Sequence, residues 1–395
     1  MKENMEVLSQ IREEEVISLL RKLVQIPSRN PPGEEREIAE YVVEKMMSWG
    51  FDARLVPEPF PNRPQAVATL KGSEGQPTLV LNGHLDTVPL GARERWSCDP
   101  FSGDVKAGRL YGRGACDMKG GIAAMMLAAK AVRESGVGLR GDLILQFAVG
   151  EEKGEPGTKT LLIDKGYRGD WGIVLEPTSL QVITAEKGLL WLDVEIQGKP
   201  AHASTPELGI NPIEKAARFI TCLREYGAKI GEKKHPLLGG AVCTATMIEA
   251  GIKENVVPGS CTVTLDRRLL PHETLDDVEK EIQEILSDMN TRDPDFEGKI
   301  RRRGEGFAAA EIPINSFIAQ IVKENVKRIT GKMPEPSGAA YGTDARNFIN
   351  DAQIPAIIFG PGDAADAHTY DESIEIRQVV ECAKTLVLTI INLLA

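Results

Sequence analysis

The sequence predicts an α/β fold in two parts: a larger domain with a mostly parallel central sheet, and a smaller ferredoxin-like domain inserted into it. Three observations carry this expectation. The 395 residues exceed one ordinary domain at roughly 150 residues each. The outer stretches alternate short, continuously apolar runs with segments of helical periodicity. The middle of the chain changes to strands in which apolar and polar residues alternate.

In chain order, residues 7–24 place apolar side chains at helical spacing, and Pro27 ends the stretch. Pro31, Pro32 and Gly33 make a loop, and 34–49 is a second amphipathic helix closed by Gly50. Apolar strands of the kind buried on both faces follow at 66–70, 78–82, 143–149, 173–175 and 356–359. Between them, 121–135 is a helix rich in Ala and Met, with Met125 and Met126 in the core. In the middle, 189–197 alternates, 212–226 is a helix, 243–249 and 261–269 alternate, 274–288 is a helix and 299–307 is a last strand. That order, β-α-β-β-α-β, is a split-βαβ unit. The expected boundaries are 1–185 and 306–395 for the larger domain and 186–305 for the insertion. The apolar run 385–395 reads as a buried last helix.

Composition narrows the function classes. The net charge is −11, and the one basic run, Arg301-Arg302-Arg303, is short enough to be a solvated segment, so no nucleic-acid partner is expected. Six cysteines without a C-x-x-C pair do not form a disulfide framework, which fits a reducing cytoplasm. The charged first fifteen residues lack the apolar core of a signal peptide. The C-terminal run falls short of the ~20 residues that cross a bilayer, so no membrane partner is expected.

The chemistry lies at predicted strand ends. His84 and Asp86 follow 78–82, Glu151 and Glu152 follow 143–149, Glu176 follows 173–175, and His368 comes a short loop after 356–359. Ligands of open α/β sheets bind beyond the carboxyl ends of strands. Two histidines and several carboxylates without thiolate make a nitrogen–oxygen donor set. A two-metal site needs about three protein ligands per ion, often with one shared carboxylate. His84, Asp117, Glu152, Glu176 and His368 supply five, with Asp117 a natural bridge. Asp86, two residues from His84, can accept the ring N–H and orient it. Glu151 is left over, a spare carboxylate suited to act as general base. Gly112 and Gly114 with Lys119-Gly120-Gly121 lack the Gly-Lys-Ser/Thr of a phosphate loop, and turn the backbone beside Asp117 instead. His235 and His272 stand outside any motif and read as surface residues.

These residues reach a known family. Gly83-His84-Leu85-Asp86-Thr87-Val88-Pro89, Gly112-Arg113-Gly114-Ala115-Cys116-Asp117-Met118-Lys119-Gly120-Gly121, Gly150-Glu151-Glu152, Glu176-Pro177-Thr178 and Gly198-Lys199-Pro200-Ala201-His202-Ala203-Ser204 resemble the acetylornithine deacetylase/succinyl-diaminopimelate desuccinylase family, which includes aminoacylase, glutamate carboxypeptidase and tripeptidases. The resemblance runs from about Leu19 to the C-terminus. It implies a zinc-peptidase-like catalytic domain holding two Zn2+, which Co2+ can replace, and an inserted domain that forms a homodimer. It implies His84 and Glu176 on opposite metals, Asp117 as the bridge, Glu152 on one metal and His368 on the other. Glu151 is then the base and acid that takes a proton from a metal-bridging water. His202 reaches the neighbouring subunit's site and stabilises the oxyanion. Asn255 and Arg267 match positions that hold substrate, and Gly342 and Thr343, in Gly342-Thr343-Asp344-Ala345, match the loop that lines the pocket.

Two positions depart from the pattern. Cys116 stands where many relatives have a small residue, and reads as inert packing. Tyr341 stands where many have glycine, which bears on the substrate. The expected function is hydrolysis of the amide of an N-acyl amino acid. A di- or tripeptidase or carboxypeptidase is the alternative, although no carboxylate beyond the ligands is evident to receive a free ammonium. A non-catalytic metal-binding protein is the other class, and the spare Glu151 speaks against it. Arg346 is a candidate contact for the acyl group or amino acid.

Overall fold

The computed structural model describes residues 2–395, with side-chain surroundings from Glu6 onward. The chain forms two compact units: residues 1–184, 312–337 and 343–395, and residues 185–311 and 338–342.

The larger unit is built on strands in the order Asp52–Val56, Gln65–Leu70, Leu143–Ala148, Leu79–His84, Trp171–Val174 and Ala356–Ile358. The last four pair in parallel. The first two join antiparallel at one side. Every residue of Leu79–His84 and of Leu143–Ala148 is buried, as expected of strands covered on both faces. The helices Gly120–Glu134 and Ile376–Leu394 bury nearly continuous apolar faces in the same core as these strands. Their approach is close: a Cβ on Gly121 would lie 2.2 Å from the Leu175 carbonyl oxygen, so only glycine fits where that helix passes the end of Trp171–Val174.

Several elements differ from the sequence reading. The stretch 7–24 is two helices, Lys2–Ser9 and Glu13–Gln25. The edge strand Asp52–Val56 and the helix Phe317–Thr330 were not anticipated. The strand is half exposed, with the burial of an edge and not of a core element. A small sheet of Val105–Lys106, Arg109–Tyr111 and Ser373–Glu375 was also not anticipated, because strands of two or three residues carry no periodicity.

The smaller unit is a four-stranded antiparallel sheet, Val242–Ala250, Ser260–Leu269, Gly188–Gln197 and Glu297–Arg302 in that order, with helices Pro212–Glu232 and Leu275–Arg292. The chain order is β-α-β-β-α-β, the ferredoxin-like arrangement. Alternating Leu190, Leu192, Val194 and Ile196 meet Val263 and Leu265 in its core, with Phe219 and Leu223 of one helix and Ile282 and Leu286 of the other. Asn211 and Thr274 cap the two helices, accepting the backbone N–H of Ile213 and of Asp277 at 3.1 Å each. Residues 306–311 and 338–342 cluster with this unit. Phe307 exchanges two backbone hydrogen bonds of 2.9 Å with Leu189, and Gly342 packs on the Phe307 ring.

Candidate metal centre

The four parallel strands end at one edge of the sheet, and each end delivers a side chain able to hold a cation. His84 closes Leu79–His84, Glu151 and Glu152 follow Leu143–Ala148, Glu176 lies two residues beyond Trp171–Val174, and His368 is in the loop after Ala356–Ile358. These strands are immediate neighbours, and at about 4.8 Å per strand their ends lie within side-chain reach. Asp117 comes from the turn before Gly120–Glu134. In that turn Gly114 has φ +80°, and a Cβ there would lie 2.6 Å from Thr87, so glycine is required. The Asp117–Met118 peptide is cis.

Asp117 sits between the two histidines. Its Oδ1 is 3.1 Å from His84 Nε2 and its Oδ2 is 3.2 Å from His368 Nε2. His84 Nε2 also lies 3.5 Å from Glu176, and His368 Nε2 lies 3.0 Å from Glu152. Donor atoms of His84, Asp117 and Glu152 fall within 4.8 Å of one another, and so do those of His84, Glu151 and Glu176. The family resemblance implied His84 and Glu176 on opposite metals; by distance the two lie on the same side of Asp117. His84 groups with Glu176, and His368 with Glu152, on either side of Asp117. Strand order accounts for the first of these, since Trp171–Val174, which delivers Glu176, pairs directly with the strand that ends in His84. Leu143–Ala148 and Ala356–Ile358 are separated by those two strands, so Glu152 and His368 meet through the loop that carries His368.

Burial and close charges shift the titratable groups of this cluster. Burial lowers the proton affinity of His84, but the charge of Glu176 and the hydrogen bond to Asp117 outweigh it and hold the ring well above its usual range. Hydrogen bonds to Asp117 and Glu152 push His368 up to about 10. Burial, reinforced by the charge of Glu176, holds Glu151 well above the ordinary carboxylate range. Burial and the charge of Asp117 raise Glu152, and burial pushes Glu176 up to about 7. Asp117 alone stays below its usual value, because the two imidazoles outweigh its burial. Carboxylates thus outnumber cations and keep protons where divalent ions would replace them. Glu152 Oε1 is buried without a hydrogen-bond partner. The donor set is imidazole and carboxylate; Cys116 Sγ is directed to the Asp363 carbonyl at 3.2 Å. The residues therefore fit divalent metal ions held by imidazole and carboxylate.

Asp86 acts differently from the sequence reading. His84 Nδ1 lies 2.9 Å from the main-chain carbonyl of Asp86 and 3.8 Å from its carboxylate. A carbonyl only accepts, so Nδ1 carries a proton in either charge state, and loss of the Nε2 proton would leave the ring its lone pair on the side of Asp117 and Glu176. The Asp86 carboxylate instead accepts from the backbone N–H of Gly150 at 2.9 Å, of Glu152 at 3.2 Å, and from Asn30 Nδ2 at 3.2 Å. It holds the loop that carries Glu151 and Glu152.

Asp344 is buried, accepting from Thr158 Oγ1 at 2.6 Å and from Asn347 Nδ2 at 2.9 Å. Arg346 is buried and donates to the Thr343 carbonyl.

In the smaller unit, His202 pairs with Val256, beside Asn255, so the two expected contact residues share one surface. The His202 side chain is exposed, and its Nδ1 accepts the Ser204 backbone N–H at 3.1 Å. Arg267 does not present a free guanidinium within its unit. It is fully buried, paired with Glu273 and bonded to the Arg268 carbonyl and Tyr226. Position 267 faces the helical layer, while Arg268 on the other face pairs with Asp266 at 2.8 Å. His235 is largely buried and meets Glu311 at 3.0 Å, so it is not a free surface residue.

Sequence reasoning passed over Asn30, Thr158 and Glu372. Asn30 and Thr158 act through hydrogen bonds made across more than fifty positions of chain, and Glu372 through contacts across some 250. Glu372 stood only as one more acidic residue in a polar loop near His368.

A parallel-centred α/β layer with histidines and carboxylates converging at its strand ends defines a metal-dependent hydrolase of the metallopeptidase type. The chain belongs to peptidase family M20/M25/M40, whose model matches residues 80–392. It is 32% identical to an N-formyl-4-amino-5-aminomethyl-2-methylpyrimidine deformylase of Halalkalibacterium halodurans, over 94% of this chain and 93% of that one. It is 30% identical to a probable succinyl-diaminopimelate desuccinylase of Staphylococcus epidermidis, over 92% and 94%. Among solved structures, a tripeptidase of Staphylococcus aureus superposes with a TM-score of 0.80 at 23% identity, covering 97% of this chain and 98% of that one. The protein is an enzyme, a metal-dependent hydrolase of amide bonds.

Proposed function

We propose that the enzyme removes the acyl group from an N-acyl amino acid of the acetylornithine or succinyl-diaminopimelate type, with Glu151 transferring the proton. His84, Asp117, Glu152, Glu176 and His368 would hold two cations, zinc by preference. The carrying observation is the two-sided arrangement around Asp117, one oxygen toward each histidine, with Glu151 beside it as a carboxylate in excess of the ligands. When bound, such cations polarise an amide carbonyl and acidify water. Glu151 accepts the proton of the attacking water and returns it to the leaving nitrogen, a task open to a carboxylate that lies beside the candidate ligands without being needed as one.

His202 is the proposed oxyanion donor, supplied by the partner subunit of a homodimer. Because its Nδ1 accepts from Ser204, the neutral ring carries its proton on Nε2, ready to donate. Asn255, Gly342 and Thr343 are the proposed substrate contacts. Arg267, whose guanidinium is committed to Glu273 and Tyr226, is left out of that set. Dimerisation through the smaller unit is supported by its edge strand Val242–Ala250, where Met247 is 45% and Ile248 53% exposed. Six free cysteines fit the proposed cytoplasmic site of action; no described helix is long and apolar enough to cross a membrane.

The names of the two relatives share one operation, release of an acyl group from nitrogen, and this favours an N-acyl amine over a peptide. The test is a substrate panel with added Zn2+ or Co2+: N-acetylornithine, N-succinyl-diaminopimelate, the N-formyl aminopyrimidine, dipeptides and tripeptides. Turnover of peptides alone would overturn the deacylase reading. Glu151→Gln should keep its metals and lose at least about 10²-fold in kcat; near-full turnover would remove Glu151 from the mechanism. His202→Ala should lose roughly 10²–10³-fold.

A further inference from the structure

Glu372 is 1% exposed and is placed in the larger unit by Ser373–Glu375, which pairs with Arg109–Tyr111. Its carboxylate collects four donors from one short loop. Oε1 accepts from the backbone N–H of Cys116 at 2.9 Å and of Asp117 at 3.0 Å. Oε2 accepts from the N–H of Gly114 at 3.0 Å and from Arg113 Nη1 at 2.7 Å. Its own carbonyl accepts from Gly112 at 2.8 Å. Every residue from Gly112 to Asp117 except Ala115 is therefore tied to this one glutamate, four positions beyond His368.

We infer that Glu372 is a positioning residue for the metal centre: it fixes the main chain of Asp117, and couples that bridging carboxylate to the His368 loop. The inference rests on the proposed role of Asp117 as the shared ligand. The physical reason is the number of constraints. Asp117 must present one oxygen to each histidine, which requires its backbone orientation to be held from behind. A backbone N–H bound to a buried, charged acceptor is among the stronger such restraints. The other end of the same segment is constrained as well. His368 adopts φ +60°, a left-handed conformation unfavourable for a non-glycine residue. It is braced by Asp366, which pairs with Arg109, and by the strand pairing of Ser373 with Tyr111. Two candidate ligands distant in sequence thereby move as one piece.

The test is Co2+ titration of the full-length protein, read by visible absorption and by calorimetry. Glu372→Asp keeps a negative charge opposite Arg113, and so keeps the ion pair, but falls one methylene short of the Cys116 and Asp117 amides. It should bind Co2+ about 10–100-fold more weakly with an altered spectrum, while circular dichroism shows a folded protein. Glu372→Gln should do the same or more, and raising Co2+ should recover kcat with KM unchanged. A folded Glu372→Asp with wild-type affinity and spectrum overturns the inference. So does a Glu372→Asp that cannot fold, since Glu372 would then serve the fold as a whole. Asp117→Asn separates the two readings. If it binds Co2+ as the wild type does, the metal-site reading itself fails; if it loses Co2+ while Glu372→Asp does not, only the present inference fails.

Discussion

Replacing Asp86 by Asn should loosen the His368 side of the centre and spare the His84 side. Asp86 is fully buried, and its two carboxylate oxygens accept three donors: Gly150 N–H, Glu152 N–H and Asn30 Nδ2. Asparagine offers one acceptor oxygen, so its amide group must face at least one of those donors. A buried donor left without an acceptor costs about 1–3 kcal/mol. If that falls on the pose of Glu152, affinity drops by about 5–150-fold at 1.4 kcal/mol per decade. The His84 ring is untouched, because its partner is the main-chain carbonyl of residue 86, which the substitution retains. The assay is Co2+ binding in two backgrounds. His84→Ala leaves the Glu152 and His368 side, and His368→Ala leaves the His84 and Glu176 side. Adding Asp86→Asn should weaken the first and leave the second within about threefold, the ordinary error of additivity. Equal losses in both, or loss only in the second, would refute the reasoning and return Asp86 to the task of orienting His84.

Other outcomes follow from the same geometry. Metal affinity should rise with pH, because Glu176 at about 7 and His368 at about 10 hold protons that a cation must displace. Each displaced proton adds about 1.4 kcal/mol per pH unit, and the slope should decrease by one above about pH 7, where Glu176 is already ionised. Calorimetry in buffers of different ionisation enthalpy reads this directly, and a pH-independent affinity between 6 and 8 would contradict it. Gly121→Ala drives a methyl into the Leu175 carbonyl. It should cost about 1–3 kcal/mol by thermal denaturation and weaken metal binding, since Glu176 is the next residue. Glu273→Ala strips the buried Arg267 of its partner; a loss of about 3–5 kcal/mol is expected, against near-neutrality if Arg267 were free to meet substrate.

Much of the candidate site was legible in the sequence because its candidate ligands sit in short motifs, several of them just past apolar strands. Periodicity marks the strand, and the residue type marks the donor. Thus His84, Asp117, Glu152, Glu176 and His368 could be nominated together, and Glu151 set apart as a surplus carboxylate. Arg267 was less legible, because alternation along Ser260–Leu269 decides which face a residue takes, and an arginine gives no apolar signal of facing inward. Its pairing with Glu273 and Tyr226 comes from the helical layer, not from its own strand.

The sequence by itself determined the fold class, the β-α-β-β-α-β pattern of the smaller unit and the kinds of donor at the strand ends, because these depend on local periodicity and on residue chemistry. Only the tertiary structure decided which donors meet. Strand order put Glu176 beside His84, and the loop that carries His368 brought it to Glu152 although their strands are separated by two others. Hydrogen bonds across the fold gave Asp86 the Glu151–Glu152 loop and Glu372 the Asp117 loop. Such pairings are set by the neighbours that strands acquire when the sheet assembles, and linear spacing carries no record of them.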